Sequence, residues 1–100
     1  MLKISLVDCR TYRRLIVEGN LIAPWTAELK SACERARADL FGRELVVELK
    51  HVTTISQEGE NVILELIEGG ARFRGRGVFT KHVLKQLSRR AIGKSREMKK

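Results

Sequence analysis

Two hydrophobic rhythms alternate along this chain, and their alternation constrains the fold more than any single motif. Leu2, Ile4 and Leu6 occupy every second position with Lys3 and Ser5 between them, the period of a strand with one buried face. Residues 8–10 make a short connection. Residues 11–18 repeat the pattern, with Leu15 and Val17 on one face and Arg14 and Ile16 on the other, so the first two strands read as a hairpin, and Gly19 and Asn20 punctuate the second. The period then changes. Pro24 suits the start of a helix, where its missing N–H would have no partner anyway. Trp25, Leu29, Cys33, Ala36 and Leu40 recur in steps of three or four along one helical face. Arg35 and Asp39 are spaced for an i, i+4 ion pair, and Gly42 suits a helix stop.

The sequence ELVVELK at 44–50 restores the period of two, Leu45, Val47 and Leu49 opposing Val46, Glu48 and Lys50. Ser56 is placed as the N-cap of a second helix, with Glu58 and Glu60 in its first turn. Gly59, Val62, Ile63, Leu66 and Ile67 form its buried stripe, and Gly69 and Gly70 end it. Residues 71–76 give a fourth strand, and 79–90 a third helix around Val83, Leu84 and Leu87.

The predicted order is ββαβαβα in one domain spanning residues 1–90, an α/β fold with a mixed four-stranded sheet and right-handed crossovers. Three helices are too few to cover both faces of such a sheet. They are therefore expected mainly on one face, the other staying partly open. Arg72, Arg74 and Arg76 alternate with Ala71, Phe73 and Gly75, which directs all three guanidinium groups to one side. Adjacent cations on a strand repel unless they reach solvent or a counter-charge. Lys3, Arg14, Glu48 and Lys50 are the expected neighbours on that open face.

Charge is unevenly spread. The chain carries a formal +8, and residues 89–100 hold six basic residues and one acid, a net +5. Residues 91–100 are expected to form a basic, flexible tail. Cys9 and Cys33 make neither a CxxC pair nor a metal-ligand spacing with His, which fits a reducing cytoplasm better than secretion. The apolar clusters fall far short of the roughly 20 residues that span a bilayer, and residues 1–7 do not read as a secretory signal. A soluble cytoplasmic protein is expected.

At this level of detail the residues resemble a known family. LIVEGNL at 15–21 followed by TAEL at 26–29 is similar to the G-x-L…A-x-x-L entry to the first helix of STAS domains, the fold of the anti-sigma factor antagonists. ELVVELKHVTTI at 44–55 resembles the strand and loop that the family writes as VVVDLSGVTFI, and Gly59 and IEGGA at 67–71 also fit. The resemblance covers about residues 2–90 and implies a STAS-like regulatory module rather than an enzyme. Its partner would be another protein, an anti-sigma factor or a kinase of that type. In the family, an Asp-Ser-x-Gly loop before the second helix carries a serine that the partner phosphorylates, and the added charge releases the complex. Aligned on Gly59, the family's Asp falls on Ser56 and its acceptor serine on Gln57, which has no hydroxyl; another common Asp falls on Ile22. Ser56 reads as an N-cap rather than a displaced acceptor, because a one-residue shift at a helix start turns a side chain by about 100°. The expected partner surface comprises Ser56, Gln57, Glu58, Gly59 and Glu60 with Ile22 and Trp25 from the neighbouring loop.

Other chemistry finds little support. His51 and His82 are lone, Cys33 sits on the apolar face of the first helix, and Cys9 has no adjacent base, so no catalytic, metal or cofactor site is expected. The glycines at 69–70 and 75–77 lack the spacing and lysine of a phosphate loop. The competing expectation is a polyanion, nucleic acid or anionic lipid, bound by Arg72, Arg74, Arg76 and the basic tail. It lacks interleaved aromatics, since Phe73 faces away from the arginines.

Overall fold

The structure, a computed structural model, describes the backbone of residues 1–98 and the side chains of residues 1–91. Its elements follow the order ββαβαβα: β1 (Leu2–Asp8), β2 (Tyr12–Leu21), α1 (Trp25–Arg37), β3 (Glu44–Ile55), α2 (Gln57–Glu68), β4 (Arg72–Gly75) and α3 (Val78–Met98). The four strands lie in sequential order, β1 antiparallel to β2 and the other two pairs parallel. A hairpin followed by two helical crossovers produces that order directly.

The core lies between the sheet and the three helices. Leu15, Val17 and Leu21 of β2 and Leu45, Val47 and Leu49 of β3 project to one side, where they meet Leu29 and Cys33 of α1, Ile63 and Leu66 of α2, and Leu84 and Leu87 of α3. Fully burying one such aliphatic side chain stabilises by about 1.5–3 kcal/mol, which makes this layer the main source of cohesion. Phe73 joins the same layer from β4, so the arginines flanking it leave by the opposite face.

Several boundaries differ from expectation. Helix α1 does not run to a stop at Gly42; it ends at Arg37, with Ala38 as C-cap. Asp39 does not pair with Arg35. The buried Arg13 draws it away, Nη1 lying 2.5 Å from Asp39 Oδ1 and 2.9 Å from the Ala36 carbonyl oxygen. Pro24 is the N-cap residue rather than the first helical position. Strand β2 does not stop at Gly19. It continues to Leu21 because β3 supplies extra residues opposite it: Val17 pairs with Leu49, Gly19 with Val52 and Asn20 with Thr54. The bulge places His51 at φ 55 and Gly19 at φ 113, and a Cβ on Gly19 would lie 2.3 Å from the Met1 carbonyl oxygen. Beyond the bulge β3 runs on to Ile55, five residues past the expected end at Lys50, whereas β4 pairs only with residues 46–49. Helix α3 continues past Arg90 to Met98. The backbone of the expected tail is therefore helical through Met98; the side chains of 92–98, and residues 99 and 100 altogether, lie outside the described residues.

Candidate protein-docking site

The long arm of β3 and the end of β2 converge on the start of α2. Leu21 pairs with Ile55, and the Leu21 carbonyl accepts the Ser56 N–H at 3.1 Å. Ser56 stands in extended conformation as the N-cap. Its Oγ accepts the Gly59 N–H at 3.1 Å and donates to the Leu21 carbonyl at 3.4 Å. Gly59 is buried, and a Cβ there would meet the Leu21 carbonyl oxygen at 2.6 Å, so only glycine lets α2 approach β2 this closely. These contacts consume the hydroxyl of Ser56 and the surface of Gly59. Both residues build the platform rather than present it.

The expected site residues thus divide. Gln57 and Glu58 are exposed on the first turn of α2, where Glu58 complements the helix dipole and Gln57 Nε2 donates to Asn61 Oδ1 at 3.1 Å. Ile22 and Trp25 are half-buried, Trp25 resting on the core, and each keeps part of its apolar surface open. Ile22 follows directly on the residue that bonds Ser56, so the two loops share one rim. Glu60 turns toward α3, its Oε1 3.8 Å from Arg90 Nη1. Thr53 and Thr54 are exposed, and Thr53 Oγ1 donates to Asn20 Oδ1 at 3.0 Å. Chemically this is a rim of two partly open apolar side chains beside an amide and a carboxylate.

The opposite face of the sheet carries the arginines. Val46 pairs with Arg72 and Glu48 with Arg74, and Arg14 lies across from Val46. Glu48, buried among them, receives Arg14 Nη2 at 2.9 Å on Oε2, and Arg76 Nε lies 3.3 Å from Oε1. The second contact is an ion pair without hydrogen-bond geometry, which leaves Oε1 without a hydrogen-bonding partner. Arg72 Nε is 3.3 Å from Glu44 Oε1, and Lys3 pairs in register with Glu18. The cations expected here share their face with three carboxylates.

Arg13 was not singled out by the sequence patterns. It shares the parity of Leu15 and Val17, which puts a guanidinium on the core-facing side, and that conflict was its signal. Besides its bonds to Ala36 and Asp39 it donates from Nε to Asp8 Oδ1 at 2.6 Å, and Arg43 reaches the same oxygen at 2.9 Å. Hydrogen bonding to Arg13 holds both Asp8 and Asp39 below the ordinary carboxylate value, and the two carboxylates raise Arg13 in turn. Burial pushes the Cys33 thiol up to about 11, so it stays protonated and packs as a small hydrophobe. His51 and His82 are exposed. Among the described residues no three His, Cys, Asp or Glu side chains gather within reach of one metal ion, and no helix is long and apolar enough to cross a membrane.

No family model matches the chain, and no curated protein matches it.

Proposed function

We propose that this chain is a non-enzymatic, cytoplasmic STAS-like module that binds another protein through the start of α2 and the adjoining 22–25 loop, in the manner of an anti-sigma factor antagonist without a phosphate switch. Its partner is an anti-sigma factor or a kinase of that type. The observation carrying this reading is the hydroxyl of Ser56, already engaged by Gly59 and Leu21, beside a glutamine where the family places its acceptor. Supporting it are the open parts of Ile22 and Trp25 on the same rim, because a half-exposed Trp next to a hydrogen-bonding side chain is a common interface anchor.

The experiment is capture of a partner from a bacterial extract by wild type, Gln57→Asp and Glu58→Lys, with mass spectrometry of the bait. Loss of one specific partner in both variants, at unchanged melting temperature, is expected, with no phosphate on Ser56. Equal capture by all three places the interface elsewhere. Retention of nucleic acid or anionic vesicles at low salt, lost in an Arg72→Glu and Arg74→Glu variant, would favour the polyanion instead. The carboxylates of Glu44 and Glu48 on the same face weaken that alternative.

A further inference from the structure

The two edges of the sheet are managed differently. β4 is four residues long and carries Arg72 and Arg74, the usual defences against a new strand. β1 is seven residues long, and its central stretch Ile4, Ser5, Leu6 and Val7 bears no charge and no proline. Leu6 is 51% exposed and Val7 38%.

The hydrogen-bond phase of that edge follows from its ends. Asn20 donates to the Met1 carbonyl and Cys9 donates to the Tyr12 carbonyl, so odd-numbered residues bond toward β2. Leu2, Ile4, Leu6 and Asp8 therefore point their N–H and C=O groups outward. The same even-numbered residues direct their side chains to the helix side, Leu6 lying opposite Leu15 in register. There α1 leaves a groove of about 560 Å³, lined by Ile4, Leu6, Leu15 and Ala32, by Glu28 and Arg35, and by the ion cluster of Asp8, Arg13 and Asp39.

We propose that β1 pairs with β1 of a second copy, antiparallel about a two-fold axis at Ser5, to form a continuous eight-stranded sheet. Three features select a copy of this chain as the occupant. First, a dyad at Ser5 places Ile4 against the partner's Leu6 and Leu2 against the partner's Asp8, so outward-bonding residues meet outward-bonding residues and the side chains keep their faces. Second, the two exposed leucines close over Ile4 of each copy at the groove floor. Third, the helices are complementary under that operation. Ala32 lines the groove together with Ile4 and Leu6, and Glu28 and Arg35, both exposed, stand one turn before it and one turn after it on the same helix face. Reversing the helix about Ala32 sets Glu28 against the partner's Arg35, and Arg35 against the partner's Glu28. A foreign strand would satisfy the backbone alone.

Sedimentation velocity over roughly 10 μM to 1 mM, the span in which small interfaces of micromolar strength populate, tests the assembly. Wild type is expected to sediment as a dimer. Leu6→Lys, at a half-exposed position that circular dichroism can confirm as folded, is expected to be monomeric. Glu28→Arg and Arg35→Glu are each expected to raise the dimer Kd about tenfold or more through like-charge contacts, and the double swap to restore it. A wild-type monomer throughout, a dimer that survives Leu6→Lys, or single reversals that the double swap does not rescue would each overturn the proposal. None of these residues belongs to the α2 rim, so partner capture is read independently.

Discussion

Arg13 Nη1 donates to the carbonyl of Ala36 at 2.9 Å, which joins the sheet to the C-terminal end of α1 through one buried guanidinium. A cation suits that position because the last carbonyls of a helix carry partial negative charge and lack intrahelical partners. Asp8 from the hairpin and Asp39 from beyond the helix complete its coordination. Arg13→Lys keeps the charge but cannot reach three directions with a planar fork. Its melting temperature is expected to fall, and that of Arg13→Ala to fall further. Arg72→Ala, which removes an exposed pair worth about 0–1 kcal/mol, should barely move it. Thermal denaturation followed by circular dichroism checks the ranking.

The same cluster sets an acid dependence. Asp8 and Asp39 have folded values below the ordinary 3.8. Their contribution is therefore complete above that value and disappears as pH falls through the lowered folded values. Urea midpoints of wild type and Arg13→Ala are expected to differ most at pH 6, and the gap to narrow on acidification below about 4 to what the Ala36 carbonyl bond contributes. A constant gap across that range would contradict the assignment.

At the start of α2 the cap is separable from the partner surface. Ser56→Ala is expected to lose about 1 kcal/mol by urea denaturation, since it removes the acceptor for the Gly59 N–H. Ser56→Asp keeps a capping oxygen and is expected to retain most of that stability.

Gly59 tests packing against propensity. In an open helix Ala is better than Gly by about 1 kcal/mol. Here the added Cβ would lie 2.6 Å from the Leu21 carbonyl oxygen, so Gly59→Ala is expected to destabilise by roughly 1–3 kcal/mol, the usual cost of overpacking. A stabilised variant would mean that α2 can move away from β2 without loss.

Glu48 is the counter-charge that lets Arg14 and Arg76 share a face. Glu48→Gln is expected to lower stability by roughly 1–3 kcal/mol, because a charge-assisted hydrogen bond is lost from a buried position. Retention on a polyanionic resin at low salt should rise in the same variant, since the face becomes more positive. Denaturation and elution salt measure the two effects separately.

What local order could reveal was readable in one dimension. The periods of two and three-to-four located all seven elements, and the parity of Arg72, Arg74 and Arg76 against Phe73 placed the guanidinium groups away from the core. Ser56 was legible as a cap because capping is a contact across three residues. The partners of charged groups were not legible. Asp39 looked matched to Arg35 four residues away, yet it bonds Arg13, 26 residues distant, because closing the sheet brings a stronger, forked donor beneath the helix end. Gly19 looked like a strand end and is instead the bend through which β2 continues, a distinction created by the extra residues of β3 opposite it. Sequence by itself determined which residues alternate, which turn and which cap, since those depend on neighbours along the chain. Only the tertiary structure decided which hydroxyl is spent, which carboxylate meets which cation and which edge stays open, since those depend on groups that folding alone brings into contact.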